Sequence, residues 1–187
     1  MPSRETSTAL LSRLVEKTTS HDGLGGKPKY PWEDIAGAMS GIPRGPVALV
    51  RSMYAMDGSS VKVAVLELRL AMEQDPIINT WKITKGQLTA LCLQVVQDLV
   101  RPLLCRRCNG RGIIYPRGAA ARECDSCAGV RVRAIHPREL AKALSVPAVQ
   151  CGRRGEWRKR YDIVMALADE WIYQAMARVQ KMLGECR

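Results

Sequence analysis

Four cysteines in two closely spaced pairs are the residues of this sequence best suited to chemistry. The first pair is Cys105-x-x-Cys108, and after fifteen residues the second pair follows as Cys124-x-x-Cys127. This is the spacing of a four-thiolate zinc site. Two intervening residues let both sulfurs of a pair reach one ion at about 2.3 Å, and two pairs complete a tetrahedron. We therefore predict one structural Zn²⁺ held by all four thiolates, with no open position for catalysis.

The residues around the cysteines predict a small hairpin. Glycine follows both pairs, at Gly110, Gly112 and Gly129, and can adopt the positive φ that lets the chain curl beneath a metal. Residues 113–115 read as a short strand and residues 116–118 as a turn. A hairpin of this size cannot bury enough apolar surface alone. The metal would supply folding free energy on the order of 10–16 kcal/mol, as in zinc-finger peptides.

Three further cysteines and a histidine lie outside the paired spacing. Cys92 lies among apolar residues and is predicted to be part of the core. Whether Cys151, Cys186 or His136 assists the metal stays open, although four thiolates already complete the site. We favour free thiols and a surface or capping histidine. Seven cysteines, four of them in metal spacing, fit a reducing cytoplasm better than a disulfide scaffold.

The positive charge of the chain is concentrated in one region. The formal net charge is +11, and residues 101–160 contain fifteen Lys or Arg against four Asp or Glu. Such clustering is the electrostatic footprint of a nucleic-acid partner. Solubility and an acidic protein partner are the alternatives. We expect no membrane association, because no run of about 18 apolar residues exists, and the N-terminus lacks the pattern of a secretory signal.

The spacing of apolar residues predicts a mainly helical protein. Residues 60–74 and 84–104 carry them at intervals of three and four, with Thr84 as a cap and Pro102 near the end of the second helix. We predict a helical bundle with an inserted four-cysteine zinc-binding β-hairpin and a C-terminal helix-turn-helix-like unit. The predicted divisions are a weakly ordered segment 1–29, a helical region 30–104, the zinc hairpin 105–133, and the helix-turn-helix with its long helix 134–187.

A basic cluster marks the start of the predicted long C-terminal helix. A short helix near 137–144, a connector and a long helix from about 155 to 183 have the outline of a helix-turn-helix. Basic residues at a helix N-terminus oppose its dipole, so they call for another explanation, and a recognition helix in the major groove provides one. A solvated surface cluster is the alternative. The predicted DNA contacts are Arg153, Arg154, Arg158, Lys159 and Arg160.

The order of these features resembles a known family. A helix leads into the Cys105 pair, a basic hairpin reaches the Cys124 pair, and a basic helix-turn-helix closes the chain. Residues 88–183 resemble the lambda-type Q antitermination proteins of bacteriophages and the similar bacterial regulators of lysis genes. The second pair departs from the full Cys-x-x-Cys-x-Gly-x-Gly pattern at Arg131, which stands where the pattern has its second glycine.

The resemblance implies a transcription antitermination factor in a bacterial cell, encoded by a phage or prophage. It would bind double-stranded promoter DNA, engage a paused bacterial RNA polymerase holoenzyme including sigma, and carry it past pauses and terminators. Nascent RNA is a further partner, because some members narrow the RNA exit channel. The hairpin cations would meet either DNA backbone or polymerase, which stays open. These residues are Arg106, Arg107, Arg111, Arg131 and Arg133.

Other classes of function remain alternatives. The main one is a conventional helix-turn-helix activator or repressor with a structural zinc. A zinc-stabilised chaperone-like binding module is another, and it would bind unfolded protein with little salt dependence. A nuclease is disfavoured, because the sequence contains no acidic cluster, no Ser-His-Asp or Cys-His arrangement and no phosphate-cradling glycine loop. We therefore expect that the protein is not an enzyme.

Overall fold

A computed structural model describes residues 37–54, 57–115 and 120–185. The described chain is mainly helical, as predicted. The segment 1–29, the predicted turn at 116–118 and Cys186 lie outside these ranges. The helices are α1 Arg44–Tyr54, α2 Gly58–Gln74, α3 Lys85–Val100, α4 Pro137–Leu144 and α5 Glu156–Glu185, the strands are β1 Ile113–Ile114 and β2 Arg122–Glu123, and the 3-10 turns are Pro76–Thr80 and Ala148–Cys151.

Local signals in the sequence set several helix ends. The Asp57 side chain caps α2 by accepting hydrogen bonds from the backbone N–H groups two and three residues further on. Thr84 caps α3 in a reciprocal capping box with Gln87, as predicted. The same helix ends at Val100, four residues earlier than predicted. Pro102 disfavours helical backbone at the residue before it, and Arg101 lies at φ −130° and ψ 71°.

Helices α1 to α5 share one hydrophobic core, to which α1 contributes Leu49, although the cysteine-rich segment separates α3 from α4 in the sequence. Leu68 of α2 and Leu91 of α3 are fully buried with Leu140 of α4 and Val164 of α5. The predicted helical region 30–104 and the C-terminal region 134–187 therefore contribute to the same core. Cys92 lies within this core with no exposed surface, which confirms its predicted place.

The C-terminal half of α5 packs against α1. A second apolar cluster joins Val50 of α1 to Ala175 and Val179 of α5. Gly45 allows the close approach, since a Cβ atom there would lie 2.6 Å from the Trp171 ring. None of the helices in the described ranges is both long and apolar enough to cross a membrane.

The segment between α3 and α4 forms a separate small structure, which we call the cysteine unit (residues 103–133). Its strands pair antiparallel, with Ile113 opposite Glu123. Its apolar cluster is independent of the helical core and consists of the four paired cysteines with Ile114. A single bridge between Leu104 and Val132 brings the entry and exit of the unit together.

Candidate metal centre and its basic surroundings

The four paired cysteines converge as the sequence predicts. Cys105 Sγ lies 3.8 Å from Cys124 Sγ, and Cys108 Sγ lies 3.7 Å from Cys127 Sγ. All four sulfurs lie within 4.8 Å of one another. A tetrahedron with metal–sulfur distances of about 2.3 Å has sulfur–sulfur edges of about 3.8 Å, whereas a disulfide needs about 2.05 Å. The geometry therefore fits one tetrahedral thiolate-bound ion, of the kind that Zn²⁺ or iron prefers.

The two cysteine pairs adopt nearly the same backbone and bind each other reciprocally. The Cys105 N–H donates to the Arg131 carbonyl at 2.9 Å, and the Cys124 N–H donates to the Gly112 carbonyl at 2.8 Å. In each case the acceptor is the seventh residue after the first cysteine of the other pair. The two halves therefore form a pseudo-twofold arrangement that brings both pairs of sulfurs to one point.

Left-handed backbone after each pair produces this curl. Gly110, Gly112 and Gly129 have φ values of 76°, 79° and 72°, which confirms the predicted use of glycine. Arg131, the departure from the motif, still has φ 72°. A residue with a Cβ atom adopts this conformation at a cost of about 1–2 kcal/mol. The second pair therefore keeps the backbone geometry of the motif without its second glycine.

Backbone N–H groups around the sulfurs favour the thiolate form. The N–H groups of Cys108 and then Arg107 donate toward Cys105 and lower the pKa of its thiol to about 6, against an opposing effect of burial. The Gly112 N–H donates to Cys108 Sγ at 3.3 Å. Burial raises the pKa of Cys127, so an ion must displace that proton. Thiolates are the form that binds metal, and the N–H donors would stabilise their charge.

The other candidate ligands have different roles. His136 caps α4, with its Nδ1 atom accepting the Arg138 N–H at 3.2 Å. This confirms that it is a capping histidine. Cys151 is fully buried in the helical core, where burial raises the pKa of its thiol. Neither residue belongs to the four-cysteine cluster.

A set of polar contacts, which we call the joint, attaches the cysteine unit to the helices. The Arg133 N–H donates to the Leu103 carbonyl at 2.7 Å. The Arg133 side chain donates two hydrogen bonds to Glu139 of α4, at 3.0 and 2.8 Å. This contact lowers the pKa of Glu139 to about 2. From α5, Arg158 Nη1 donates to the Ile135 carbonyl at 3.3 Å, so both C-terminal helices contact the exit of the unit.

Three of the ten predicted DNA-contacting cations are largely buried by internal contacts. Besides Arg133 and Arg158 in the joint, Arg160 donates to the Trp81 carbonyl at 3.0 Å and to Glu156 at 3.1 Å. Its guanidinium carbon lies 4.7 Å from the centre of the Trp157 ring and 5.7 Å from that of Trp81. Only 14% of its side chain is exposed. These contacts give Arg160 a structural role and leave it poorly placed for phosphate.

The remaining predicted cations are exposed on two parts of the molecule. In the cysteine unit, Arg107 is half-exposed and pairs with Asp125 at 3.1 Å. The other exposed cations among the ten predicted DNA contacts lie in the cysteine unit and around the start of α5. They are Arg106, Arg111 and Arg131 in the first group, and Arg153, Arg154 and Lys159 in the second.

Only part of the basic cluster, Arg158 to Arg160, lies in the first turns of α5. The helix starts at Glu156, so Arg153 and Arg154 lie in the connector before it. The Gly155 N–H donates to the Gly152 carbonyl at 2.8 Å and forms a turn there. With Glu156 in the first turn, the helix N-terminus carries the acidic residue that suits its dipole. The two-helix outline is present, but its connector includes the Ala148–Cys151 turn and is long for a compact helix-turn-helix.

Sequence reasoning missed Lys82. This exposed residue lies in the loop before α3 and lines one open cleft with Arg154 and Arg160. More than seventy residues separate them in the chain, and the Arg160 bond to the Trp81 carbonyl brings them together. No local pattern in the sequence marks Lys82, because the contact that places it there joins residues 79 apart in the chain.

No protein-family model and no curated protein matches this chain.

Proposed function

We propose that this chain is a DNA-binding transcription antitermination factor that resembles the lambda-type Q proteins. In this proposal it binds double-stranded promoter DNA in the bacterial cytoplasm. It then loads onto a paused RNA polymerase holoenzyme and carries it past pauses and terminators. The ion at the four cysteines is Zn²⁺ with a structural role. The observation that carries the proposal is the tetrahedral four-sulfur cluster within a segment that holds all the excess positive charge.

The charge distribution supports a nucleic-acid partner. Among the described residues, seven exposed cations without an assigned acidic partner lie in the cysteine unit and around the start of α5, and one of them is Arg122 of β2. The joint fixes one group relative to the other through the Arg133–Glu139 pair and the Arg158 bond to the Ile135 carbonyl. A rigid pair of basic surfaces suits a duplex better than a flexible acidic peptide, because a duplex presents phosphates at fixed spacing. The contacts that Arg133 and Arg158 make in the joint would position these two basic surfaces.

Salt dependence tests the binding step. If about six of these cations contact phosphates, the affinity for duplex DNA falls about a thousandfold between roughly 50 and 200 mM salt. Fluorescence anisotropy with a labelled promoter duplex measures this slope. A flat response to salt would rule out DNA as the partner.

Transcription through a terminator tests the antitermination step. With purified bacterial RNA polymerase on the native promoter, added protein should increase the fraction of transcripts that extend beyond a downstream terminator. The Cys105→Ser variant should lose this effect together with its bound metal, because the cysteine unit requires all four thiolates. Readthrough that is unchanged by the protein would reject this function.

The second candidate is a conventional helix-turn-helix activator or repressor. The succession of α4, the Ala148–Cys151 turn and α5 favours it, since two helices and a connector suffice for such a protein. Such a protein would alter initiation at its promoter and leave a downstream terminator fully effective. The same transcription assay therefore separates the two candidates.

A further inference from the structure

An open cleft of about 840 Å³ lies beside the start of α5. One wall is the loop before α3, which includes Trp81 and Lys82, and the other is the connector with Arg154. The charged residues that line it are Lys82, Arg154, Arg160 and Glu156. Because Glu156 binds Arg160, the two exposed cations Lys82 and Arg154 determine the charge at the rim.

We propose that this cleft binds the phosphate backbone of a nucleic-acid strand between Lys82 and Arg154. The inference rests on the proposed DNA binding and extends it to a residue outside the basic segment 101–160. It adds the loop before α3 to the nucleic-acid surface. Lys82 becomes a phosphate contact with Arg154 on the opposite wall.

Internal contacts hold the two walls together. Arg160 donates to the Trp81 carbonyl at 3.0 Å, and its guanidinium lies against the rings of Trp81 and Trp157. Trp157 Nε1 in turn donates to Gln150 Oε1 in the connector at 3.1 Å. Lys82 and Arg154 are therefore both attached to an ordered framework. This framework would set the distance between the two cations before a strand binds.

The chemistry of the lining favours phosphate over an acidic peptide. Trp81 and Trp157 are buried, with exposed fractions of 7% and 4%. Their rings are covered in part by the Arg160 guanidinium, so neither ring is open as an anchor for a peptide side chain. Peptide grooves depend on such anchor pockets. A phosphate chain needs only cations at the rim and polar groups along the wall.

The backbone of Lys82 gives independent support. This residue has φ 46°, a conformation that glycine adopts freely and lysine adopts at a cost of about 1–2 kcal/mol. A lysine at this position therefore strains its own backbone, and residues with strained backbones cluster at functional sites. It also provides a clean experiment, because Lys82→Gly removes the charge while it relieves the backbone.

The experiment compares Lys82→Gly with the unchanged protein in duplex binding by fluorescence anisotropy. We expect weaker binding and a salt slope lowered by about 0.9, so that the difference in affinity shrinks about 3.5-fold between roughly 50 and 200 mM salt. Thermal unfolding should show equal or higher stability. Lys82→Arg should retain the slope, and Lys62→Ala, an exposed lysine of α2 outside the cleft, should change nothing.

Two results would overturn the inference while DNA binding stands. One is an unchanged salt slope in Lys82→Gly when the Arg153→Ala, Arg154→Ala double variant loses affinity and slope. The other is binding of poly-glutamate that Lys82→Gly weakens as much as DNA binding, which would make the occupant an acidic polypeptide. If the unchanged protein fails to bind any duplex, the proposed function and this inference fall together.

Discussion

Removal of the metal should unfold the cysteine unit and leave the helical core folded. The cluster around the four cysteines shares no member with the core formed by α1 to α5, and Leu103 at the entry of the unit is the residue of the unit that packs against that core. The unit enters and leaves at neighbouring points, Leu104 and Val132, so its loss opens no gap between α3 and α4. We therefore expect two separate transitions, the first governed by metal and the second by the helices.

The expected magnitude follows from what else holds the unit. Besides the two-residue β1–β2 ladder, three backbone hydrogen bonds connect its halves, and at about 1 kcal/mol each these three supply about 3 kcal/mol. Ordering a single residue costs about 1–2 kcal/mol, while zinc contributes on the order of 10–16 kcal/mol in small domains. The ion is thus the dominant contribution. The three bonds join Cys105 to Arg131, Cys124 to Gly112, and Arg133 to Leu103.

Hydrogen exchange during titration with a chelator measures this behaviour. The amides of Cys124 and Arg133 should lose protection as metal leaves, while those of Leu91 and Val164 stay protected. The Cys151→Ala variant is the control, because it removes a thiol outside the cluster and should retain one ion per chain. Simultaneous loss of protection in the helices, or persistent protection of Cys124, would refute the independence of the two parts.

Three further changes have defined outcomes. Arg131→Gly should raise the chelator concentration needed to unfold the cysteine unit, by relief of about 1 kcal/mol of left-handed strain, and should weaken DNA binding. Tyr161→Phe should destabilise the protein by about 1–2 kcal/mol through loss of its hydrogen bond to Asp98. Burial, and then the hydrogen bond to Asp98, raises the pKa of Tyr161. The contribution of this tyrosine to folding stability is therefore complete below about pH 10 and is lost as the pH rises above it. The Tyr161→Phe variant lacks this contribution and should lose less stability in alkali. Gly155→Ala should cost about 1–3 kcal/mol in thermal unfolding, because a Cβ atom would lie within 2.0 Å of the Gln150 carbonyl oxygen.

Each change has a matched control. Arg111→Gly removes the same charge as the change at residue 131 without a left-handed φ to relieve, so equal effects on chelation would contradict the strain argument. Tyr173→Phe alters an exposed tyrosine of the same helix and should leave both stability and its alkaline decline unchanged. Gly58→Ala places a methyl group in open space at the start of α2. Destabilisation by Gly58→Ala as large as by the change at residue 155 would contradict the steric argument.

The candidate metal centre could be predicted from the sequence because it depends on local chemistry. The spacing of two cysteine pairs fixes which sulfurs can share an ion, and the left-handed glycines lie within seven residues of each first cysteine. The caps at Thr84 and His136 are equally local, since each side chain binds a backbone N–H two or three residues away. Features of this kind depend on a few neighbouring residues, so a single sequence specifies them.

The roles of the cations depended on tertiary contacts that no local pattern reveals. Arg160 binds a carbonyl 79 residues away in the chain, and Arg158 binds one 23 residues away. Arg133 turns toward Glu139 because the α4 cap places that carboxylate beside the exit of the cysteine unit. Charge counting could locate the basic segment, but it could not separate the cations that hold the fold from those that face solvent.

The distinction between cations that hold the fold and cations that face solvent changes how the basic segment 101–160 should be understood. The arginines at the joint, with the Arg133–Glu139 pair at 2.8 Å, fix the cysteine unit against α4 and α5, and Arg153 and Arg154 lie in the connector between these two helices. An ion that folds the unit therefore also sets the distance between the two exposed basic groups. In the proposed function, the metal acts on DNA affinity through the spacing of cations that do not touch it. In that proposal a duplex would respond to the spacing, because its phosphates are themselves regularly spaced.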